Sequence, residues 1–373
     1  MVVLRQMSQQ KTVLVAPMNW GLGHATRLVP VIEALMEHKT KVILAADKRP
    51  YDFLRLRFPE CDIVRLPGFE PVYPGNRSLA VQMLLSFPKM MKCARTARRA
   101  LQKIIEDYRI DMVISDNRYE LYSPKAYSVF ITHQLNIQTR NRQKIFKPLI
   151  TRFINRFIRK YDELWIPDYE DLQRNLSGAL SHLSKYPLKN YHFTGPLSRF
   201  KLKDIPETEH FDLLVILSGP EPQRTIFEKI ILDQVSETDL KTVVLQGKPE
   251  KKGKQKHGNV TLIPHTGDRE MAGFIQSAPL IISRPGYSTV MDMTVFGKKA
   301  IFIPTPGQTE QEYLARQLEQ AGYAYFEEQK SFNLKRAVEK AQGYKGLPKM
   351  PANNRLKILT GDLPGKIQTK SAD

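Results

Sequence analysis

The sequence predicts an α/β protein with two domains, each built on a parallel sheet. Short apolar runs alternate with helices in strand–loop–helix units, which is typical of parallel sheets because each helix returns the chain across the sheet. At 373 residues the chain is longer than one hydrophobic core usually supports. The alternation pauses in residues 185–206, which are rich in proline and glycine, and then restarts. We therefore expect a domain boundary in that segment.

The chain divides into three predicted parts. Residues 1–197 form the first domain and residues 206–345 the second. Residues 346–373 contain few apolar side chains, so we expect a poorly ordered tail with at most one helix that returns to the first domain.

Composition narrows the class of protein. The 57 Lys and Arg residues outnumber the 38 Asp and Glu residues, and the net charge of +19 predicts an anionic partner: nucleic acid, an acidic substrate or a phospholipid surface. The two cysteines, Cys61 and Cys93, exclude a disulfide framework and a cysteine-based metal cluster, and they suit a reducing cytoplasm. No signal-peptide pattern and no apolar run of about 20 residues is present, so we expect a cytoplasmic protein.

Residues 281–317 contain the clearest sequence pattern for a ligand-binding site. An apolar run predicts a buried strand that ends at Ser283, and Gly286 in the following turn lets a ligand approach the backbone. A helix then begins with Tyr287, Ser288 and Thr289, whose free N–H groups and hydroxyls suit a diphosphate. Asp292 follows one to two turns later, where a carboxylate can accept hydrogen bonds from ribose hydroxyls.

A second strand–loop–helix unit follows directly. Gly297 ends the first helix, residues 299–303 predict another buried strand, and residues 304–308 form a loop. The next helix carries Glu310, Gln311 and Glu312 in its first turn. Two successive units therefore direct polar groups at one crevice.

This pattern resembles the donor-binding half of family 28 glycosyltransferases, which include the UDP-GlcNAc transferases of peptidoglycan synthesis. The shared motif is a strand, Ser-Arg-x-Gly-x-x-Thr, an acid, a glycine, a strand ending in proline and a glutamine-rich helix start. The matching positions are Ser283, Arg284, Gly286, Thr289, Asp292, Gly297, Pro304 and Gln311.

The resemblance implies a role for each matching position. Residues 286–289 would hold phosphate, Asp292 the ribose, and Gln311 with Glu312 the donor sugar. Asp292 replaces the usual Glu and Glu312 replaces a second Gln, which leaves the sugar open. The plain alternative is that Arg284 and Asp292 are ordinary charges near a strand end.

The resemblance also implies the GT-B fold, in which two Rossmann-like domains with parallel sheets face each other. The expected activity is transfer of a hexose or N-acetylhexosamine from a UDP-sugar to an acceptor hydroxyl, on a lipid-linked or cell-envelope glycan bound by the first domain. No cofactor and no metal are expected. The sequence has no Asp-x-Asp motif at a strand end, and a helix terminus can neutralise a departing diphosphate.

A glycine-rich turn follows the first predicted strand. Gly21, Gly23 and His24 match the family turn, which ends in a histidine, and we interpret His24 as the catalytic base. One alternative is a nicotinamide site with Asp47 on a ribose, although Thr26 occupies the place of the third glycine. Another is a histidine hydrogen-bonded locally at the helix start.

Further polar residues follow later strands of the first domain. Asp116 ends one predicted strand, and His133 and Asn136 follow the next. Because parallel strands present their ligands at their carboxyl ends, we place these side chains near His24. Asp116 would hold His24 in its tautomer, with His133 as an alternative partner or base, and His133 and Asn136 also match an H-x-x-N pattern of the family.

The second domain contributes other candidates on the donor side. The segment from Ser218 and Gly219 to Arg224 replaces the family's glycine-rich loop, and since two prolines there lack N–H groups, the Arg224 side chain would substitute for backbone donors. His265 would lie near the base of the nucleotide, by resemblance.

Two basic helices suggest a surface role. We predict one helix over residues 79–108, broken or kinked at Pro88, and an amphipathic helix over residues 141–161. Packing on the sheet is the plain interpretation. The alternative is docking on anionic lipid, with the enzyme peripheral at the inner face of the membrane.

Two other function classes remain open. A basic nucleic-acid-binding protein would fit the charge, but the sequence has no zinc spacing, RNP-like strand or helix-turn-helix, and no nucleic acid is expected. A UDP-GlcNAc 2-epimerase shares the two-domain architecture and would need no acceptor.

Overall fold

The computed structural model describes residues 10–69, 86–138, 147–248, 251–349 and 355–372. The first of its two sheets has seven parallel strands in the order β3-β2-β1-β4-β5-β6-β7. Strands β1 to β7 are Thr12–Pro17, Lys41–Ala46, Asp62–Arg65, Met112–Asp116, Tyr127–Ile131, Glu163–Ile166 and Tyr191–Phe193. Helices α1 to α4 are Gly23–Glu37, Lys48–Arg57, Phe87–Tyr108 and Lys147–Ile158.

The second sheet also has seven strands, in the order β10-β11-β9-β8-β12-β13-β14, and only β10 is antiparallel to its neighbour. Strands β8 to β14 are Leu213–Ile216, Thr242–Leu245, Gln255–His257, Val260–Ile263, Leu280–Ser283, Ala300–Phe302 and Tyr325–Phe326. Helices α5 to α9 are Gln223–Val235, Asp268–Ser277, Tyr287–Phe296, Thr309–Gln320 and Leu334–Ala341.

The central strands of each sheet are buried and mainly apolar because helices cover both faces of the sheet. All six residues of β1 are buried, and α1 packs Leu28, Val31, Ile32 and Leu35 into the core, as their spacing predicts. In each sheet the strand order reverses at a central pair, β1 with β4 and β8 with β12. Parallel sheets bind ligands in the crevice that opens at such a reversal. The predicted α/β class with two parallel sheets is confirmed.

The break predicted at Pro88 falls at the start of a helix. Helix α3 begins at Phe87, and Pro88 lies in its first turn, where its missing N–H costs nothing. Residues 79–85 and 141–146 lie outside the described part of the chain. Strand β6 was not predicted, because its apolar run is only three residues long and follows the charged Glu163.

The tail also differs from the prediction, since it contains two helices, α10 (Arg355–Gly361) and α11 (Leu363–Ala372). Lys366 binds both oxygens of the buried Glu163, at 2.7 and 3.0 Å, and Lys370 binds Asp162 at 2.5 Å. In α10, Lys357 pairs with Glu37 of α1 at 2.8 Å, so both helices pack on the first domain.

Candidate active site

The β1–α1 turn brings His24 to the end of β4. Its Nδ1 lies 3.0 Å from Oδ2 of Asp116, which pairs in register with Pro17 at the end of β1. An ionised Asp116 can only accept, so Nδ1 of His24 is the donor and Nε2 is the ring nitrogen left to contact a ligand. Among the described residues none bonds to Nε2. The predicted contact between His24 and Asp116 is present.

Arg27, one turn further along α1, holds Asp116 from the other side. Its Nε donates to Oδ2 of Asp116 at 2.8 Å, and its Nη2 donates to Oδ1. Burial alone would raise the pKa of Asp116, but the charges of Arg27 and His24 hold it below its usual value. Asp116 is therefore a buried, ionised carboxylate.

His133 occupies the position between Arg27 and the second domain. Arg27 Nη1 lies 3.0 Å from Nδ1 of His133, and because a guanidinium can only donate, Nδ1 is the acceptor. Nε2 then carries the hydrogen and donates to Oε1 of Glu310 in α8, at 2.7 Å. Burial lowers the pKa of His133, against the opposing effect of Glu310. His133 is neutral, and both of its ring nitrogens are bonded.

The start of α7 faces the start of α1. Gly286 precedes α7, and no side chain caps the start of this helix. The first helical hydrogen bond runs from the Val290 N–H to the Gly286 carbonyl, so the N–H groups of residues 287–289 have no partner within the helix. Gly23 lies opposite, since a β-carbon there would be 2.6 Å from Ser288 Oγ. The positive ends of two helices therefore meet across the crevice.

Asp292 lies one turn beyond Ser288 and is nearly buried. Its Oδ1 accepts a hydrogen bond from Ser198 at 2.6 Å, and Oδ2 lies 3.7 Å from Nε of Arg199. Burial raises the pKa of Asp292 to about 6, against the opposing charge of Arg199. Two residues of the interdomain segment thus contact the predicted ribose acceptor.

The α8 start folds back on its own loop. Gln311 accepts from the Thr305 N–H at 2.8 Å, and Glu312 accepts from the Gly307 N–H at 3.1 Å. Thr305 Oγ1 is buried without a hydrogen-bond partner within the described ranges. A β-carbon on Gly219 would lie 3.7 Å from this oxygen, so Thr305 and Gly219 are neighbours in the second domain.

Comparison with known proteins identifies the family. The protein-family model "Glycosyltransferase family 28 C-terminal domain" matches residues 213–357, and the family model "Glycosyl transferase family 1" matches residues 13–160. One relative is the UDP-N-acetylglucosamine–N-acetylmuramyl-(pentapeptide) pyrophosphoryl-undecaprenol N-acetylglucosamine transferase of Acetivibrio thermocellus. It is 24% identical over 278 residues, which cover 70% of this chain and 69% of the relative. The chain is a glycosyltransferase of the family 28 type.

Other comparisons agree with this assignment. An uncharacterised glycosyltransferase of Methanosarcina mazei is 25% identical over 325 residues, which cover 81% of this chain and 82% of the relative. The glycotransferase of kitacinnamycin has a TM-score of 0.66 at 13% identity, covering 97% of this chain and 99% of its own. MurG of Acinetobacter baumannii has a TM-score of 0.56 at 13% identity, covering 96% and 100%. The predicted GT-B fold is confirmed.

Several candidate residues of this glycosyltransferase form hydrogen bonds with backbone carbonyls and so stabilise the fold. Arg284 is buried and donates from Nη1 to the carbonyls of Ile303 and Pro304, both at 2.9 Å, so it ties loops together instead of facing the crevice. Asn136 donates to the Ala179 carbonyl at 2.8 Å.

The loop after β8 has a similar internal network. Arg224 pairs with Glu228 at 2.9 Å and also with Glu221, so its charge is already neutralised. Ser218 and Gly219 remain at the rim of the crevice, and His265 is exposed after β11. Gly21 adopts a φ of +74°, which a glycine reaches without strain and which turns the chain into α1.

Sequence reasoning missed Arg27, because a lone cation on a helix suggests a solvated charge. It named Glu310 among the polar groups at the start of α8 but did not assign it a role or its partner His133. The signal available for Arg27 was its position three residues after His24, on the helix face that carries that residue.

Proposed function

We propose that this enzyme transfers a hexose or N-acetylhexosamine from a UDP-sugar to a hydroxyl group of an acceptor. The observation that carries the proposal is the pairing of His24 with Asp116 directly opposite the uncapped start of α7. A proton acceptor and an anion-binding helix end thus share one crevice, which is what transfer from a nucleotide sugar to a hydroxyl requires.

In this proposal His24 is the base. Its Nε2 takes the acceptor proton while the acceptor oxygen bonds to the anomeric carbon and the bond from that carbon to the diphosphate breaks. Asp116 fixes the tautomer and stabilises the imidazolium that forms. Arg27 keeps Asp116 ionised and in place.

The leaving diphosphate is assigned to the N–H groups of residues 287–289. The α7 and α1 dipoles both present their positive ends there, which supports departure without a metal ion. Thr305 Oγ1 and Gly219 are the proposed further contacts, because that hydroxyl is buried and unbonded within the described residues. Asp292 would bind the ribose, and Gln311 with Glu312 the sugar.

The uridine nucleotide is proposed from the relatives, since the Acetivibrio thermocellus transferase is named for UDP-N-acetylglucosamine. The same name includes an undecaprenol-linked acceptor, and a lipid-linked or cell-envelope glycan is proposed here by that analogy.

A docking surface on the first domain supports a lipid-linked acceptor. Phe87 of α3 lies 6.2 Å from Phe153 of α4, and Phe87, Leu149 and Phe153 are 41%, 68% and 43% exposed. Exposed cations lie on the same two helices: Lys89, Lys92, Arg95, Arg99, Arg152 and Arg156. Helices that expose both apolar and cationic side chains suit an anionic membrane surface. Within the described residues no helix has the length and apolarity to cross a bilayer.

Calorimetry with UDP, ADP and GDP tests the donor, and a panel of UDP-sugars then identifies the sugar. Selective binding of UDP is expected, and absence of binding by all three nucleotides would contradict the proposal. Product analysis on UDP-sugar alone separates a transferase from an epimerase. An epimerase would change the sugar without an acceptor.

A further inference from the structure

One imidazole of the first domain contacts both helix starts that frame the donor side. The His133 ring stacks on Tyr287, the first residue of α7, with centroids 4.1 Å apart and planes inclined by 13°. Its Nε2–H donates to Glu310, the second residue of α8. Since His133 follows β5, both contacts cross between the domains.

The first domain holds Glu310 by both carboxylate oxygens. His133 donates to Oε1, and the side-chain amide of Gln134 donates to Oε2. Burial would raise the pKa of Glu310, but His133 holds it below its usual value, so the carboxylate is ionised and each bond is charge-assisted.

Two further hydrogen bonds join the same helix starts to the first domain. The Tyr287 hydroxyl donates to the Pro167 carbonyl at 2.8 Å, and the Thr309 hydroxyl donates to the Gln138 carbonyl at 3.0 Å. These contacts between the domains therefore lie next to the residues proposed to bind the diphosphate and the sugar.

We propose that His133 is a positioning residue that clasps the second domain through Glu310 and Tyr287 and so holds the crevice closed over the donor. It is not the base, because Arg27 occupies Nδ1 and the hydrogen on Nε2 points to Glu310. Only the nature of the bound donor rests on the proposed function; the clasp is a contact between domains and can be tested without any ligand.

The kinetic test compares His133→Ala with His133→Gln. The alanine variant should lower kcat/KM about tenfold to hundredfold, the factor that a hydrogen bond to a charged partner supplies. Affinity for UDP should change less than about threefold, because the proposed nucleotide contacts lie in the second domain. Gln can donate an amide N–H to Glu310 but cannot accept a proton near neutral pH, so it should recover most of the lost activity. A glutamine variant as inactive as the alanine variant would overturn the clasp in favour of a base.

The ligand-free test measures the distance between the domains by pulsed electron paramagnetic resonance. Spin labels go on the exposed Arg55 and Lys229, with Cys61→Ser and Cys93→Ser in the background. A narrow distribution is expected for the unmodified clasp and for Glu310→Gln, which keeps an acceptor for His133. Broader distributions are expected for Glu310→Ala and His133→Ala. Equal distributions in all four proteins would refute the clasp, whereas failure of UDP to bind would refute only the proposed function.

Discussion

Gly23 and Ser288 come from different domains, and they approach so closely that a β-carbon on Gly23 would lie 2.6 Å from Ser288 Oγ and 3.5 Å from its β-carbon. Gly23→Ala must therefore push the two helix starts apart or rotate Ser288. We expect turnover to fall by about a hundredfold, the cost of misplacing reacting groups by ~1 Å. UDP affinity, measured by calorimetry, should change little. The double variant Gly23→Ala/Ser288→Gly removes the obstruction and should recover turnover relative to Gly23→Ala; no recovery would mean that crowding is not the cause.

His24→Ala should lower kcat by a hundredfold to ten-thousandfold with UDP affinity nearly intact, because it removes only the proposed base. His257→Ala, on an exposed strand, is the control. Asp116→Asn should lose less activity, since the amide oxygen can still accept from His24. Near-normal transfer by His24→Ala, with transfer abolished in His133→Ala, would contradict the assignment.

Asp116→Asn should also reduce stability, because it leaves the Arg27 guanidinium buried without its counter-charge. Breaking a buried ion pair in this way costs about 3–5 kcal/mol. Denaturation followed by tryptophan fluorescence measures unfolding of the domain that contains Asp116 and Arg27, since both tryptophans, Trp20 and Trp165, belong to the first domain. A variant as stable as the original protein would show that Asp116 and Arg27 do not depend on each other.

Asp292→Ala should weaken UDP binding by about 1–3 kcal/mol, since it removes an acceptor from ribose hydroxyls in a buried place. Because burial raises the pKa of Asp292 to about 6, the carboxylate is ionised above that pH and protonated below it. UDP affinity should therefore decrease as the pH falls through about 6. Subtracting the same titration of Asp292→Asn isolates this effect from titration of the phosphate. Asp239→Ala, on an exposed carboxylate, is the control. Unchanged affinity in Asp292→Ala would remove this residue from the site.

Glu163 makes the first domain sensitive to acid. Burial would raise its pKa, but His192, Lys366 and Trp165 together lower it to about 2. A carboxyl with a lowered pKa stabilises the fold above its unfolded value, 4.5 here, and loses that contribution as the pH falls toward 2. The contribution at neutral pH is about 3 kcal/mol. Acid unfolding followed by tryptophan fluorescence should lose much of its steepness between pH 4.5 and 2 in Glu163→Gln. Glu237→Gln, at an exposed carboxylate, should retain it. An unaltered acid transition in Glu163→Gln would contradict this.

The exposed apolar residues of α4 should decide membrane binding. Leu149→Glu and Phe153→Glu should each weaken binding to vesicles of phosphatidylglycerol by about tenfold, because each removes an apolar insertion and adds a repelled charge. Leu172→Glu, at a residue 71% exposed elsewhere, is the control. Flotation assays measure this. Equal and negligible binding to neutral and anionic vesicles would leave α3 and α4 as packing elements.

The sequence predicts those parts of the structure that depend on local patterns. The strand before Ser283, the turn at Gly286 and the helix from Tyr287 are present because apolar runs and glycine conformations act over a few residues. The contact between His24 and Asp116 was also predictable, since both follow strands whose carboxyl ends meet at one edge.

The partners of the buried charges could not be predicted in the same way. Arg27 contacts Asp116 and His133, which lie 89 and 106 positions later in the chain, and Glu310 meets His133 at a separation of 177. No local pattern marks which charges become buried together. Arg284 matches a family motif, yet its position in that motif does not reveal that its hydrogen bonds go to backbone carbonyls inside the domain.

The anchoring of Lys366 and Lys370 on Glu163 and Asp162 has a consequence for biosynthesis. During translation, α11 is made only after the whole of the second domain. Until then the first domain lacks Lys366, one of the cations that pair with the buried Glu163. The nascent first domain is then less stable than the finished one for as long as residues 206–345 are being synthesised. Ribosome-bound chains that stop before α10 should be cut by protease more readily than chains that include α11.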